Sequence, residues 1–172
     1  MFAACKALKE LEAHGAISHN HEILVIPSVN RFSMNVGKRF WPTDNSDINR
    51  AFPGDVNGDT TKQIAGTLFD RIKGYSYGIH FASFYMPGDF IPHVKMMDTG
   101  FQSASLANLF GLQYVVIRKP KPMDTVTLNY NWQMNGTNAF SIYTNSTDMI
   151  DEKSARQAVS SVLRFLTRMG IL

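Results

Sequence analysis

The 172-residue chain has one cysteine, Cys5, so an intramolecular disulfide cannot form and a cysteine-built zinc cage is excluded. Long apolar runs are also lacking. Met1-Phe2-Ala3-Ala4-Cys5-Lys6-Ala7-Leu8-Lys9-Glu10 is interrupted by charge and reads as neither a signal peptide nor an anchor, and no stretch approaches membrane-spanning length. Excess charge of one sign is scarce: the formal net charge is +3. The one tight basic group, Arg118, Lys119 and Lys121 among prolines, is too small for a nucleic-acid footprint. Internal repeats and low-complexity tracts are absent. These absences predict a protein of a reducing, cytoplasmic setting, with neither nucleic acid nor membrane as partner.

What is present is enough apolar residue, 44% of the chain, to bury one ordinary core, so residues 1–172 are expected to form a single domain. Ala4, Cys5, Leu8 and Leu11 recur at helical spacing before Gly15. Ile23-Leu24-Val25-Ile26 is a β-branched run of the kind buried in a sheet, closed by Pro27. A long irregular segment then runs to about Asp59, with Phe32, Phe40, Trp41 and Phe52 arguing for ordered packing.

Thr60 and Gln63 have capping-box spacing ahead of an Ile64, Leu68, Ile72 stripe that stops at Gly74. Tyr75 to Ala82 reads as a strand. Thr99 and Gln102 would open a shorter helix, and Tyr114 to Ile117 the next buried strand. Val126, Leu128, Tyr130 and Trp132 alternate with polar residues and predict a strand with one wet face; Ala139 to Tyr143 predicts another. A final helix capped near Asp148 would present Ala155, Val159, Val162, Leu166 and Met169. The alternation of helices and short strands gives an α/β fold with a mixed sheet flanked by helices.

The segment that carries chemistry is Asp47-Ile48-Asn49-Arg50-Ala51-Phe52-Pro53-Gly54, with Arg39 before it and His80 after it. An arginine presents a planar fork that holds a carboxylate through parallel hydrogen bonds, and a neighbouring asparagine amide can add a contact. On the residues alone, an Asp-x-Asn-Arg turn is more often a local structural device, and a lone histidine in an apolar strand, as His80 is, more often a satisfied core residue.

The segment resembles the Asp-Leu-Asn-Arg-x-Phe-Pro-Gly motif of the succinylglutamate desuccinylase/aspartoacylase family, and Val25-Ile26-Pro27-Ser28-Val29-Asn30 resembles the strand and turn before it. That resemblance implies a zinc carboxypeptidase-like α/β/α sandwich, a metallopeptidase-like hydrolase domain that cleaves an N-acyl amide of an acidic amino acid. Asn49 and Arg50 would hold the substrate carboxylate, Arg39 would steady the oxyanion, and His80 would be one zinc ligand. His93, near a site loop in the family's order, is a candidate substrate contact.

Three departures accompany the likeness. The family's Gly-x-His-Gly-x-Glu motif has no counterpart, so the chain is expected to begin after it, N-terminally incomplete and missing its first strands. Gly78 stands where an aspartate precedes the metal histidine. Tyr143 stands where a glutamate serves as general base. Asp148 and Glu152 are alternative bases but are more simply explained as favourable charges at a helix N-terminus. Two other functions stay open beside an N-acyl amino acid hydrolase inactive in this form. One is a module that binds a carboxylate ligand without hydrolysis. The other is a fragment whose unpaired strand edge leads to a homo-oligomer or needs a partner.

Overall fold

The computed structural model describes residues 2–100, 104–145, 147 and 151–172. Four strands, β1 (Tyr77–Ala82), β2 (His93–Met97), β3 (Tyr114–Arg118) and β4 (Asn138–Tyr143), form one sheet in the order β1-β4-β2-β3. β1 runs parallel to β4 and β2 parallel to β3, while β2 and β4 are antiparallel. The expected mixed sheet is therefore observed, and six helices accompany it among the described residues: α1 (Phe2–Ala13), α2 (Arg31–Asn35), α3 (Thr60–Ile72), α4 (Ala104–Asn108), α5 (Leu128–Met134) and α6 (Glu152–Arg168).

Strand alternation divides the sheet into two unlike faces. Ile79, Phe81, Val94, Met96, Phe140 and Ile142 point to one side and pack with Leu8 of α1, Phe165 and Leu166 of α6, and Phe110 of the turn after α4. Phe110 stacks on Phe165 at 4.3 Å between ring centroids, and Phe140 meets both rings at an angle. A second cluster, Phe52, Ala65, Phe69, Ile72, Trp132 and Ala139, lies where α3, α5 and the Phe52 turn converge.

Helix boundaries follow local chemistry. α3 is capped by Asp59, whose carboxylate accepts from the Lys62 amide at 2.9 Å, one residue ahead of the Thr60 cap expected from sequence. α6 is capped by Asp151, which accepts from the Lys153 and Ser154 amides. Asp148 and Gln102, expected as helix-opening residues, lie outside the described residues. α6 buries Ala158, Val162, Phe165 and Leu166, so its inward stripe is centred beside the predicted Ala155–Val159 line.

Three expectations are corrected. Tyr114 to Ile117 forms β3 but not a buried strand: it lies at the sheet edge with Tyr114, Val116 and Ile117 exposed. Ile23 to Ile26 joins no sheet; Leu24 and Val25 are exposed. β propensity describes a fit to a pleated, half-buried surface, and without a neighbouring strand the run gains nothing from extension. The segment Val126 to Trp132 is a turn followed by α5, not a strand. Thr127 caps this helix by accepting from the Tyr130 amide, and Asn129, Trp132 and Gln133 turn inward at helical spacing. Apolar alternation over so short a segment matches either period, and the cap at Thr127 decides it. No helix among the described residues is long and apolar enough to cross a membrane.

Candidate functional site

The Asp47–Gly54 segment folds as a short 3₁₀ turn over Ile48–Arg50, started by Asp47, whose carboxylate accepts from the Asn49 amide at 3.0 Å. Asn49 Oδ1 accepts from the Leu128 backbone amide at 3.1 Å, at the first turn of α5. That bond fixes which end of the amide is which and leaves the Asn49 Nδ2 group as a donor. The Phe52 amide donates to the Val126 carbonyl at 3.1 Å, and the buried Phe52 ring meets Phe69 edge-on. The turn is thus pinned to both α3 and α5.

Arg50 is exposed and donates to the Asn49 carbonyl at 3.0 Å. Among the described residues no carboxylate pairs with it. Arg39 is differently placed. Its guanidinium donates to Asp47 Oδ2 through Nε at 3.2 Å and Nη2 at 2.7 Å, so the structure commits it to the carboxylate that opens the turn. As an exposed pair it adds up to about 1 kcal/mol.

An open cavity of about 1730 Å³ runs past this turn and over the polar face of the sheet, where Arg39, Asn49, Arg50 and His80 line it. Lys95, Arg118, Asn129, Ser141 and Tyr143 line it as well. Register explains the grouping: His80 on β1 and Lys95 on β2 both stand opposite Ser141 on β4, so the three share one face and one row. Asn129 Nδ2 donates to Ser141 Oγ at 3.1 Å from α5 above.

Gly78, the neighbour of His80 on that face, is covered by the Trp132 indole. A Cβ at Gly78 would lie 2.7 Å from the Trp132 ring. Trp132 therefore occupies the space in which an acidic side chain would stand, and His80 Nδ1 is buried without a hydrogen-bond partner. Burial, and secondarily the positive charge of Lys95, push the His80 pKa down to about 4, so the imidazole is neutral at pH 7.

The depressed value has a measurable consequence. As pH falls below 6.5 the unfolded chain takes up a proton that folded His80 refuses until about 4. The associated stability is thus full above pH 6.5 and is lost progressively down to pH 4, by about 3 kcal/mol at most. Urea melts at pH 7 and pH 4 should show His80→Gln losing less stability on acidification than the parent. Equal losses would place the acid sensitivity elsewhere.

Tyr143 packs against His93 in a parallel stack at 4.8 Å and against Phe84 at 4.9 Å. Burial raises its pKa, with Arg118 and Arg50 opposing, so the phenol is a hydrogen-bond donor at neutral pH and not a base. His93 lies behind Tyr143. It begins β2, its Nδ1 bonds the Ile91 carbonyl at 2.9 Å, and Tyr143, not His93, lines the cavity. Glu152 pairs with Arg156 on the exposed surface of α6, away from the cavity. His19 and His21 lie exposed in their loop.

Zinc, which the sequence resemblance implies, is not matched by these residues. Among the described residues no three or more His, Cys, Asp or Glu converge. A catalytic zinc takes three protein ligands, and His80 alone, with Lys95 beside it, supplies one donor in a positive field. Arg118 is neutralised by a bidentate pair with buried Asp124, both contacts 2.6 Å. Sequence reasoning did not single out Lys95, Ser141 or Asn129. A lysine inside the apolar run Val94-Lys95-Met96-Met97 is the one signal that could have done so.

The mixed sheet, the turn that presents Arg50 and the cationic cavity belong to one α/β domain. The chain belongs to the Succinylglutamate desuccinylase/Aspartoacylase catalytic domain family, whose profile matches residues 3–168. A succinylglutamate desuccinylase/aspartoacylase from Rhodobacter sphaeroides is similar in structure, with TM-score 0.75 and 22% identity over 86% of this chain and 44% of its own. The product-bound ectoine utilization protein EutE from Ruegeria pomeroyi is alike at TM-score 0.75 and 22% identity, over 86% of this chain and 47% of its own. In sequence, N-alpha-acetyl-L-2,4-diaminobutyric acid deacetylase of Halomonas elongata is 37% identical over 50 residues, 29% of this chain and 14% of that protein. The chain thus spans less than half the length of these relatives.

Proposed function

We propose that this chain is the substrate-holding part of an N-acyl amino acid amidohydrolase, and that Arg50 and Asn49 grip the free carboxylate of an N-acylated acidic amino acid. The supporting observation is Arg50 itself: a cavity-lining guanidinium that no carboxylate of the described residues neutralises, held on a turn that leaves the Asn49 amide nitrogen available to the same ligand. A charge-assisted bond of this kind contributes about 1.5–3 kcal/mol. Calorimetric titration with N-acetyl-L-glutamate should show Arg50→Ala weakening binding by roughly tenfold to a hundredfold. Unchanged affinity would remove the carboxylate reading.

A second reading, binding without hydrolysis, is favoured by Tyr143. Where the resemblance puts a glutamate base there is a phenol held protonated. Zinc in a cytoplasmic hydrolase remains part of the family-based proposal, with His80 as this chain's contribution to it. One imidazole is expected to retain no zinc after dialysis against metal-free buffer. Elemental analysis giving roughly one equivalent, lost in His80→Ala, would instead mean that further donors complete a site and that amide hydrolysis should be assayed.

A further inference from the structure

Of the nine lysines in the chain, eight are exposed and Lys95 alone is half-buried. It stands on β2, an interior strand between β4 and β3, and lines the cavity. An ammonium taken out of water is ordinarily paired with a carboxylate. Among the described residues no carboxylate forms an ion pair with Lys95. The acid that acts on it, Asp124, has its oxygens engaged by Arg118 Nη1 and Nη2 and by the Lys121 amide. Nζ lies 5.5 Å from the centre of the Tyr143 ring, and Ser141 is the residue opposite on β4. His80 stands beyond β4, about 9–10 Å away at the backbone by strand spacing. Burial, and then the Arg118 guanidinium, lower the Lys95 pKa against the opposing pull of Asp124. Desolvation next to a second cation is the arrangement that turns a lysine into a nucleophile, because it raises the share of free amine at neutral pH.

We propose that Lys95 is a nucleophilic amine that captures a small anionic carbonyl compound, an aldehyde acid or keto acid, as an imine within the cavity. The ammonium first releases a proton to solvent. The Nζ lone pair then attacks the carbonyl carbon, the carbonyl π bond breaks, and a proton passes from nitrogen to oxygen to give a carbinolamine. Its hydroxyl takes up a proton and leaves as water while the nitrogen lone pair closes the C=N bond. One ammonium and one carbonyl thus give one iminium and one water, with the positive charge retained and nothing oxidised or reduced. An anionic partner follows from the charges on the lining: five cations stand against two acids, Glu22 and Asp124, which already accept from Tyr75 and Arg118. Such a field raises the local concentration of anions. Arg50 has no part in the covalent step, so this assignment is independent of the carboxylate grip proposed above.

The test is to incubate the whole chain at neutral pH with glyoxylate and sodium cyanoborohydride, whose hydride reduces the iminium to a stable secondary amine, and to rank the nine lysines by peptide mass mapping over time. Lys95 should be labelled first, at roughly ten times the rate of the exposed lysines or more. Labelling spread evenly over the lysines, or Lys95 trailing the exposed ones, would overturn the proposal. The parent's own map decides this, so the result does not hang on any variant folding. Lys95→Arg keeps the positive charge and removes the nucleophile; it should lose the fast label and leave the slower ones at the parent's rates. A fast label persisting in Lys95→Arg would assign the reactivity to another amine and equally overturn the role of Lys95. Neutral acetaldehyde should label Lys95 more slowly than glyoxylate at low salt, with the gap closing at high salt. Rates in the order expected from the two aldehydes' reactivity in free solution, unmoved by salt, would overturn the choice of an anionic partner.

Discussion

Gly54→Ala is expected to be the most damaging single-methyl change in the chain, costing about 4 kcal/mol or more and leaving little soluble protein. Gly54 has a φ of +96°, a conformation that side chains rarely adopt, and an added Cβ would sit 2.0 Å from the Gly66 amide nitrogen and 2.2 Å from its Cα. Both are backbone atoms of α3, so no rotamer change relieves the contact. The Asp55 amide donates to the Lys62 carbonyl at 3.2 Å, holding the two backbones together at this crossing. To admit the methyl, the turn must lift from α3, which withdraws Phe52 from its cluster with Phe69 and Trp132. Thermal melts should show a lost or strongly lowered transition. A melt within a few degrees of the parent would mean that the turn is not anchored at Gly66. Because Arg50 rides on the same turn, any residual folded protein should also bind N-acetyl-L-glutamate poorly.

That close approach explains what the sequence could and could not disclose. The Pro53-Gly54 end of the motif was legible as part of an irregular but ordered segment, while its partner Gly66 lies in a helix where a glycine carries no local signal. The elements with strong local chemistry, α1 ahead of Gly15, α3 ahead of Gly74, and β3 and β4 with their β-branched or aromatic runs, fall where composition and spacing put them. Ile23 to Ile26 and Val126 to Trp132 do not, because the first depends on a neighbouring strand and the second on a cap at Thr127.

The site divides in the same way. Asn49 and Arg50 were legible as a contiguous motif. The row of His80, Ser141 and Lys95 was not, since it exists only once three strands have taken their register, with residues from positions 80, 95 and 141 made adjacent. Nor could sequence show that Arg39 is drawn to Asp47, or that His93 lies on Tyr143. Those outcomes depend on which partner each side chain reaches in space.

Gly78→Asp carries the second large expectation, because it restores the residue type that the resemblance puts two places before the histidine. A restored carboxylate would be the natural acceptor for the orphaned His80 Nδ1 and would raise its pKa. Packing opposes this. The first carbon of the side chain already falls 2.7 to 2.9 Å from three Trp132 ring atoms, and Trp132 is itself buried, with Nε1 donating to the Ile72 carbonyl at 3.3 Å. Overpacking of this kind costs about 1–3 kcal/mol, and a carboxylate under an indole adds a desolvation penalty of similar size. The single variant should therefore be destabilised by about 4 kcal/mol in urea titrations. Trp132→Ala opens the space at its own cost of about 3–5 kcal/mol. In the combined variant the two losses should fall well short of their sum, since each change relieves the other, and the His80 titration followed by NMR should move upward from about 4. Strict additivity, with no change in the imidazole titration, would show that Trp132 is not what separates His80 from a carboxylate at position 78. Non-additivity would show that the side chains at positions 78 and 132 compete for one space, and that Trp132 keeps a carboxylate at position 78 from His80.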